Sequence, residues 1–139
     1  MTYNYGEMFE RLGVKGMGHQ GAAWCALDPR GVLVLMSHQN FHKLRDGVWV
    51  YDAPGDPKLP KVSRSAARSI RLLAHYFAPG KEILLPVAVF ETDGKVHADG
   101  THEPAKFKHA TGDVYRSRMV VFDPSTGHIL CEATERFSV

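Results

Sequence analysis

Ser63-Arg64-Ser65-Ala66-Ala67-Arg68-Ser69-Ile70-Arg71-Leu72-Leu73-Ala74-His75-Tyr76-Phe77 is the stretch whose reading decides the fold. Ala66, Ile70, Leu73 and Phe77 recur at the three- and four-residue spacings that put side chains on one face of a helix. Arg64, Arg68, Arg71 and His75 recur with the same spacing on the opposite face. Ser63 or Ser65 can cap the start, and Pro79-Gly80 stops the helix beyond residue 77. One long amphipathic helix with a basic outer face is therefore expected over residues 63–77.

Everything else reads as sheet around that helix. Upstream, residues 22–27 and 32–37 are apolar runs of strand length flanking Asp28-Pro29-Arg30-Gly31, where proline suits the second turn position and glycine the fourth. Both strands are apolar at successive positions, so both of their faces should be covered. Arg45-Asp46-Gly47 turns into a third strand, Val48-Trp49-Val50-Tyr51. Residues 53–60 hold three prolines and read as a loop. Downstream, residues 82–91 form a strand in which Pro86 implies an edge or a bulge. Thr92-Asp93-Gly94 turns it back, and residues 97–113 read as a long polar loop. Residues 114–122 and 128–137 close the chain as a hairpin, in a register that sets Arg118 against Glu132 and Arg116 against Thr134. At the N-terminus, residues 7–12 read as a short helix capped by Gly13, and residues 14–21 as a glycine-rich link. The expected class is α+β: a mainly antiparallel sheet of hairpins with one long amphipathic helix and a short N-terminal helix, in a single domain over residues 1–139.

Composition narrows the function classes. The chain is 44% hydrophobic, enough for a packed core, and its net charge of +2 does not by itself argue for nucleic acid. Cys25 and Cys131 lie far apart within apolar runs, so both are expected buried and unpaired, in a reducing compartment. With no signal-peptide pattern at residues 1–10 and no apolar run near the ~18 residues of a membrane span, a cytoplasmic protein without membrane association is expected.

Four constellations carry what chemistry there is. The stripe Arg64, Arg68, Arg71, His75 suits phosphates, or is simply a solvated face. Ser37-His38-Gln39-Asn40-Phe41-His42 sits at a strand exit. There Gln39 and Asn40 have the paired donor and acceptor that read a base edge, and His38 and His42 are candidate metal ligands lacking an evident third. Trp24, Trp49 and Tyr51 can stack a base, or belong to the core. His97-Ala98-Asp99-Gly100-Thr101-His102-Glu103 mixes acid–base groups without the spacing of a metal motif. Neither a Gly-x-Ser-x-Gly elbow nor a phosphate-cradling loop occurs.

Met8-Phe9-Glu10-Arg11-Leu12-Gly13-Val14, Ala23-Trp24-Cys25-Ala26-Leu27, the strands at 32–36 and 50–51, and the helix and strand over 65–90 follow one another in a familiar order. In this order the chain resembles a family of small uncharacterised bacterial domains that occur alone or fused to HNH-type nuclease domains in restriction-like proteins. That family usually carries tryptophan and acidic residues where this chain has Ser37, His38, Gln39 and Asn40. The resemblance implies a defence-type recognition module that reads DNA or a modified base and leaves cleavage to a nuclease partner. The combined expectation is a nucleic-acid-binding module without catalysis, cofactor or metal of its own. Gln39, Asn40, His42, Trp49, Arg64, Arg68 and Arg71 are the contact residues. The alternatives are a metal-dependent hydrolase built on His38, His42 and residues 97–103, and a module that docks an acidic protein partner.

Overall fold

The chain is seen in a computed structural model that describes residues 2–15, 24–92 and 94–139. It runs α1 (Tyr5–Arg11), β1 (Cys25–Leu27), β2 (Leu33–Leu35), β3 (Ser37–His38), β4 (His42–Arg45), β5 (Val48–Ala53), α2 (Leu59–Val62), α3 (Arg64–Tyr76), β6 (Glu82–Thr92), β7 (Lys95–Val96), β8 (His102–Glu103), β9 (Lys106–Asp123) and β10 (His128–Ser138). Seven strands follow the order β1-β2-β6-β9-β10-β5-β4, an eighth, β3, also pairs with β6, and β7 and β8 form a separate ribbon.

This architecture corrects the expected class. The sheet is mixed, because β2 and β3 both lie parallel to β6, and the helical residues are divided among three short helices rather than gathered in one long one. The physical cause is the connection. Between β3 and β6 the chain makes the β4–β5 hairpin and then α2 and α3, and such a crossover returns it in its original direction. Side-chain periodicity carries no information on strand direction. Pro86 sits in β6, a central strand, at a register shift between Pro86 and Ala88, so the bulge and not the edge accommodates it.

Other departures are local. Most of residues 97–113 is ordered, as β8 and the start of the 18-residue β9. A strand, β4, occupies part of what reads as polar exit, and α2 ends the proline loop. In the last hairpin Arg118 faces Glu132, but a bulge between Ala133 and Glu135 sets Arg116 against Glu135, whose carboxylate accepts from the Arg116 Nε–H at 3.1 Å. The glycine-rich link from residue 16 onward, the start of the 22–27 run and Asp93 in its turn lie outside the described residues.

Each face of the sheet has its own core. α3 lays Leu73 over one face, against Leu33, Leu35, Ile83, Leu85, Met119 and Cys131. Ile70 and Leu73 are 5% and 3% exposed, and burying side chains of this size contributes roughly 1.5–3 kcal/mol each. Buried Ser69 fixes the helix to the β1 end, its hydroxyl accepting the Trp24 N–H at 2.8 Å. α1 seals the other face with Met8 and Phe9 against Val34, Leu84 and Val114. It starts with a reciprocal cap, in which the Asn4 side chain accepts the Glu7 N–H and the Glu7 carboxylate accepts the Asn4 N–H. No helix among the described residues is long and apolar enough to cross a membrane.

Candidate functional site

The strand exit after β2 organises the site. β3 runs beside β6 for two residues, then a tight 3-10 turn over Gln39–Phe41 redirects the chain into β4. His38 holds that turn, because its Nδ1 accepts the Asn40 N–H at 3.2 Å. The His38 ring stacks on Phe90 at 4.7 Å and 19° and tilts against Phe41 at 4.6 Å. Its backbone N–H donates to the buried Tyr51 hydroxyl at 3.0 Å. Burial pushes the Tyr51 phenol above its ordinary range, so it stays a neutral hydrogen-bonding group.

His42 has a different role. It sits between Tyr115, stacked at 4.5 Å, and Tyr51, tilted at 4.6 Å. Burial, with the Arg136 charge and His38 nearby, pulls its imidazole down to about 4. Its Nε2 lies 2.8 Å from Ser37 Oγ. That pair is not a nucleophile and its base: the Ser37 hydroxyl donates to the Pro86 carbonyl at 2.8 Å, which leaves Oγ to accept from His42, and Ser37 is fully buried.

Between this aromatic wall and the α2–α3 segment lies a cavity of about 890 Å³. Trp24, Phe41, Tyr51, Phe90 and Phe107 supply its rings, and Leu59, Val62, Leu73 and Ile129 its aliphatic surface. Its polar groups are few: His38, Ser63, Ser65, His102 and Thr126 among them. A second cavity of about 400 Å³ adjoins it, sharing Phe41, Pro54, Leu59 and Gly94. One wall of both is the 54–59 loop, clamped to the β9–β10 turn where the Asp56 N–H donates to the Thr126 carbonyl at 2.8 Å.

The structure distributes the expected contact residues unevenly around this cavity. Gln39 and Asn40 are exposed and immediately precede Phe41, which lines it. Arg64 is exposed between Ser63 and Ser65, which also line it. Arg68 and Arg71 continue along the solvent face of α3, about 6 and 10 Å further by helical rise. Among the described residues, no ion pair engages Arg64, Arg68 or Arg71, whereas Arg30, Arg45, Arg116, Arg118 and Arg136 all have carboxylate partners. Trp49 stands apart on the β4–β5 hairpin, 40% exposed opposite Leu44, two residues from Tyr51 on the same strand face. His42 is enclosed by rings rather than presented to a ligand. Of residues 97–103, His102 lines the larger cavity and His97 the smaller one, with His97 Nε2 3.3 Å from the Glu103 carboxylate. Among the described residues, no three His, Cys, Asp or Glu side chains converge as a metal-binding group.

Sequence reasoning missed Phe41, Phe90, Phe107, Leu59 and Val62 as site residues. Each looks like ordinary core in its own segment, and only the crossover brings the segments around one space. Comparison with protein-family models, with curated proteins and with solved structures found no match for this chain.

Proposed function

We propose that this chain is a nucleic-acid recognition module without catalysis of its own. In this reading the solvent face of α3 holds the backbone, and one unpaired or extruded base enters the aromatic cavity. The observation that carries the reading is the adjacency of two features: an aromatic-walled cavity, and arginines that have no ion-pair partner among the described residues and start at its rim with Arg64. Rings such as Phe41 and Tyr51 suit base stacking, which is worth about 1–3 kcal/mol per base. Gln39 and Asn40 at the rim carry the amide groups that read a base edge. Trp49 offers a further exposed ring on the neighbouring hairpin. Any strand cleavage would come from a nuclease partner, and the base could be a modified one, as the family resemblance implies.

The test is a salt titration of binding to duplex and single-stranded DNA, with an Arg64→Ala/Arg68→Ala/Arg71→Ala triple variant alongside. Three neutralised phosphates predict a log–log salt slope of about −2.7 on duplex and about −2.1 on a single strand. The triple variant should lose most of that slope. A wild-type protein that binds no nucleic acid at low salt would refute the reading and leave an acidic protein surface as the partner of the stripe. Equal slopes for both proteins would show that the backbone contact lies off α3.

A further inference from the structure

We infer that the cavity under α3 is a site for an uncharged planar heteroaromatic ring bearing an apolar arm, a ligand larger than a standard base. The inference rests on the reading of the cavity as the binding site, but not on the ligand being part of a nucleic acid.

Three observations on the cavity lead there. The first is that its lining offers two kinds of surface. His38 is stacked on Phe90 and tilted against Phe41, with Tyr51 next to them. Leu59 and Val62 of α2, Leu73 of α3 and Ile129 of β10 supply aliphatic groups to the same lining. A flat π-system matches the first surface and a saturated or aryl substituent the second. The second observation is charge. Among the described residues no carboxylate lines this cavity, and the Lys106 ammonium on its lining is 70% exposed and bound to Glu91 at 3.1 Å. An ionised group carried inside would therefore be desolvated without a partner. The third is size. At about 890 Å³ the cavity lies near the top of the ~300–1,000 Å³ range that encloses a drug-sized molecule. A single unsubstituted ring would leave much of it unfilled.

Free adenine, N6-benzyladenine and adenosine monophosphate probe these features separately. Trp24 lines the cavity and Trp49 is exposed on the hairpin, so a Trp49→Phe background makes Trp24 the fluorescent reporter. N6-benzyladenine should quench Trp24 saturably, with a Kd at least tenfold below those of adenine and adenosine monophosphate. Val62 is 42% exposed, so Val62→Glu places a charge among the aliphatic groups without opening the core. It should weaken N6-benzyladenine at least fivefold and leave adenine unchanged. Val62→Ser serves the same purpose if the glutamate variant does not fold. Phe90→Leu, which removes the ring stacked on His38, should weaken both neutral probes. Equal affinity for adenine and N6-benzyladenine, tighter binding of the phosphate, or indifference of N6-benzyladenine to both Val62 variants would each overturn the inference. Because the probes are free small molecules, uptake of N6-benzyladenine by a protein that ignores DNA would sink the nucleic-acid reading alone. Salt-dependent DNA binding with no probe taken up would sink this inference alone.

Discussion

Between pH 6.5 and about 4, acid should destabilise this protein through His42. Its ring is packed between Tyr51 and Tyr115 and donates to Ser37 Oγ, and Arg136 and His38 add unfavourable charge. Its imidazole therefore ionises near 4 in the folded chain, against 6.5 when unfolded. Well above pH 6.5 both states hold it neutral and it contributes little pH dependence. As the pH falls below 6.5 the unfolded chain takes up a proton that the folded chain refuses, so stability is lost down to about pH 4. At about 1.4 kcal/mol per pH unit the full loss comes to about 3–4 kcal/mol. Much of a small domain's net stability would go with it. The perturbation is His42→Gln, which keeps a donor for Ser37 Oγ and cannot titrate. Urea unfolding of wild type and variant at pH 7.5, 6.5, 5.5 and 4.5 isolates the residue, since every other titrating group appears in both proteins. The wild-type minus variant stability should be nearly level between pH 7.5 and 6.5. It should then fall by about 2 kcal/mol on reaching pH 4.5. A difference that stays within 0.5 kcal/mol, roughly the error of such extrapolations, across the whole range would refute the reasoning, because His42 would then titrate as it does in an open chain.

Three further outcomes follow from the packing. Gly55→Ala should cost about 1–3 kcal/mol in urea unfolding, because an added Cβ would meet the His128 N and Thr126 carbonyl and hydroxyl oxygens at 2.5 Å; an unchanged midpoint would show that the 54–59 loop is not clamped to the β9–β10 turn. Leu73→Ala should cost about 2–5 kcal/mol, since the side chain is 3% exposed between α3 and the sheet, and a loss below 1 kcal/mol would place that helix face elsewhere. Cys25 and Cys131 are 1% and 0% exposed and unpaired, with burial pushing both thiols up to about 12; a thiol reagent at pH 8 should label both on unfolding and neither quickly before it.

What the sequence determined by itself was local. The spacing of Ala66, Ile70 and Leu73 is enough to place them on the buried face of a helix that opens at Ser63, because burial face and capping depend on residues within a turn of one another. The alternation in residues 114–122 and 128–137, with Asp123 to Gly127 between, is likewise enough for a hairpin. Asp46-Gly47, with φ of 51° and 79°, makes the tight turn that its sequence demands. The tertiary structure decided what depends on distant partners. The direction of β2 relative to β6 is set by a crossover rather than by side-chain pattern. The pairing of Arg116 with Glu135 depends on one extra residue in a bulge, which shifts every later partner. His42 reads as an exposed ligand in Ser37-His38-Gln39-Asn40-Phe41-His42, yet tyrosines from β5 and β9 enclose it. The cavity belongs wholly to this second class. Trp24, Phe41, Leu59 and Phe90 are each consistent with core in their own segments, and the space between them exists only because the fold brings α2 and α3 together with residues from both cores, Tyr51 and Leu73 from one and Phe90 and Phe107 from the other.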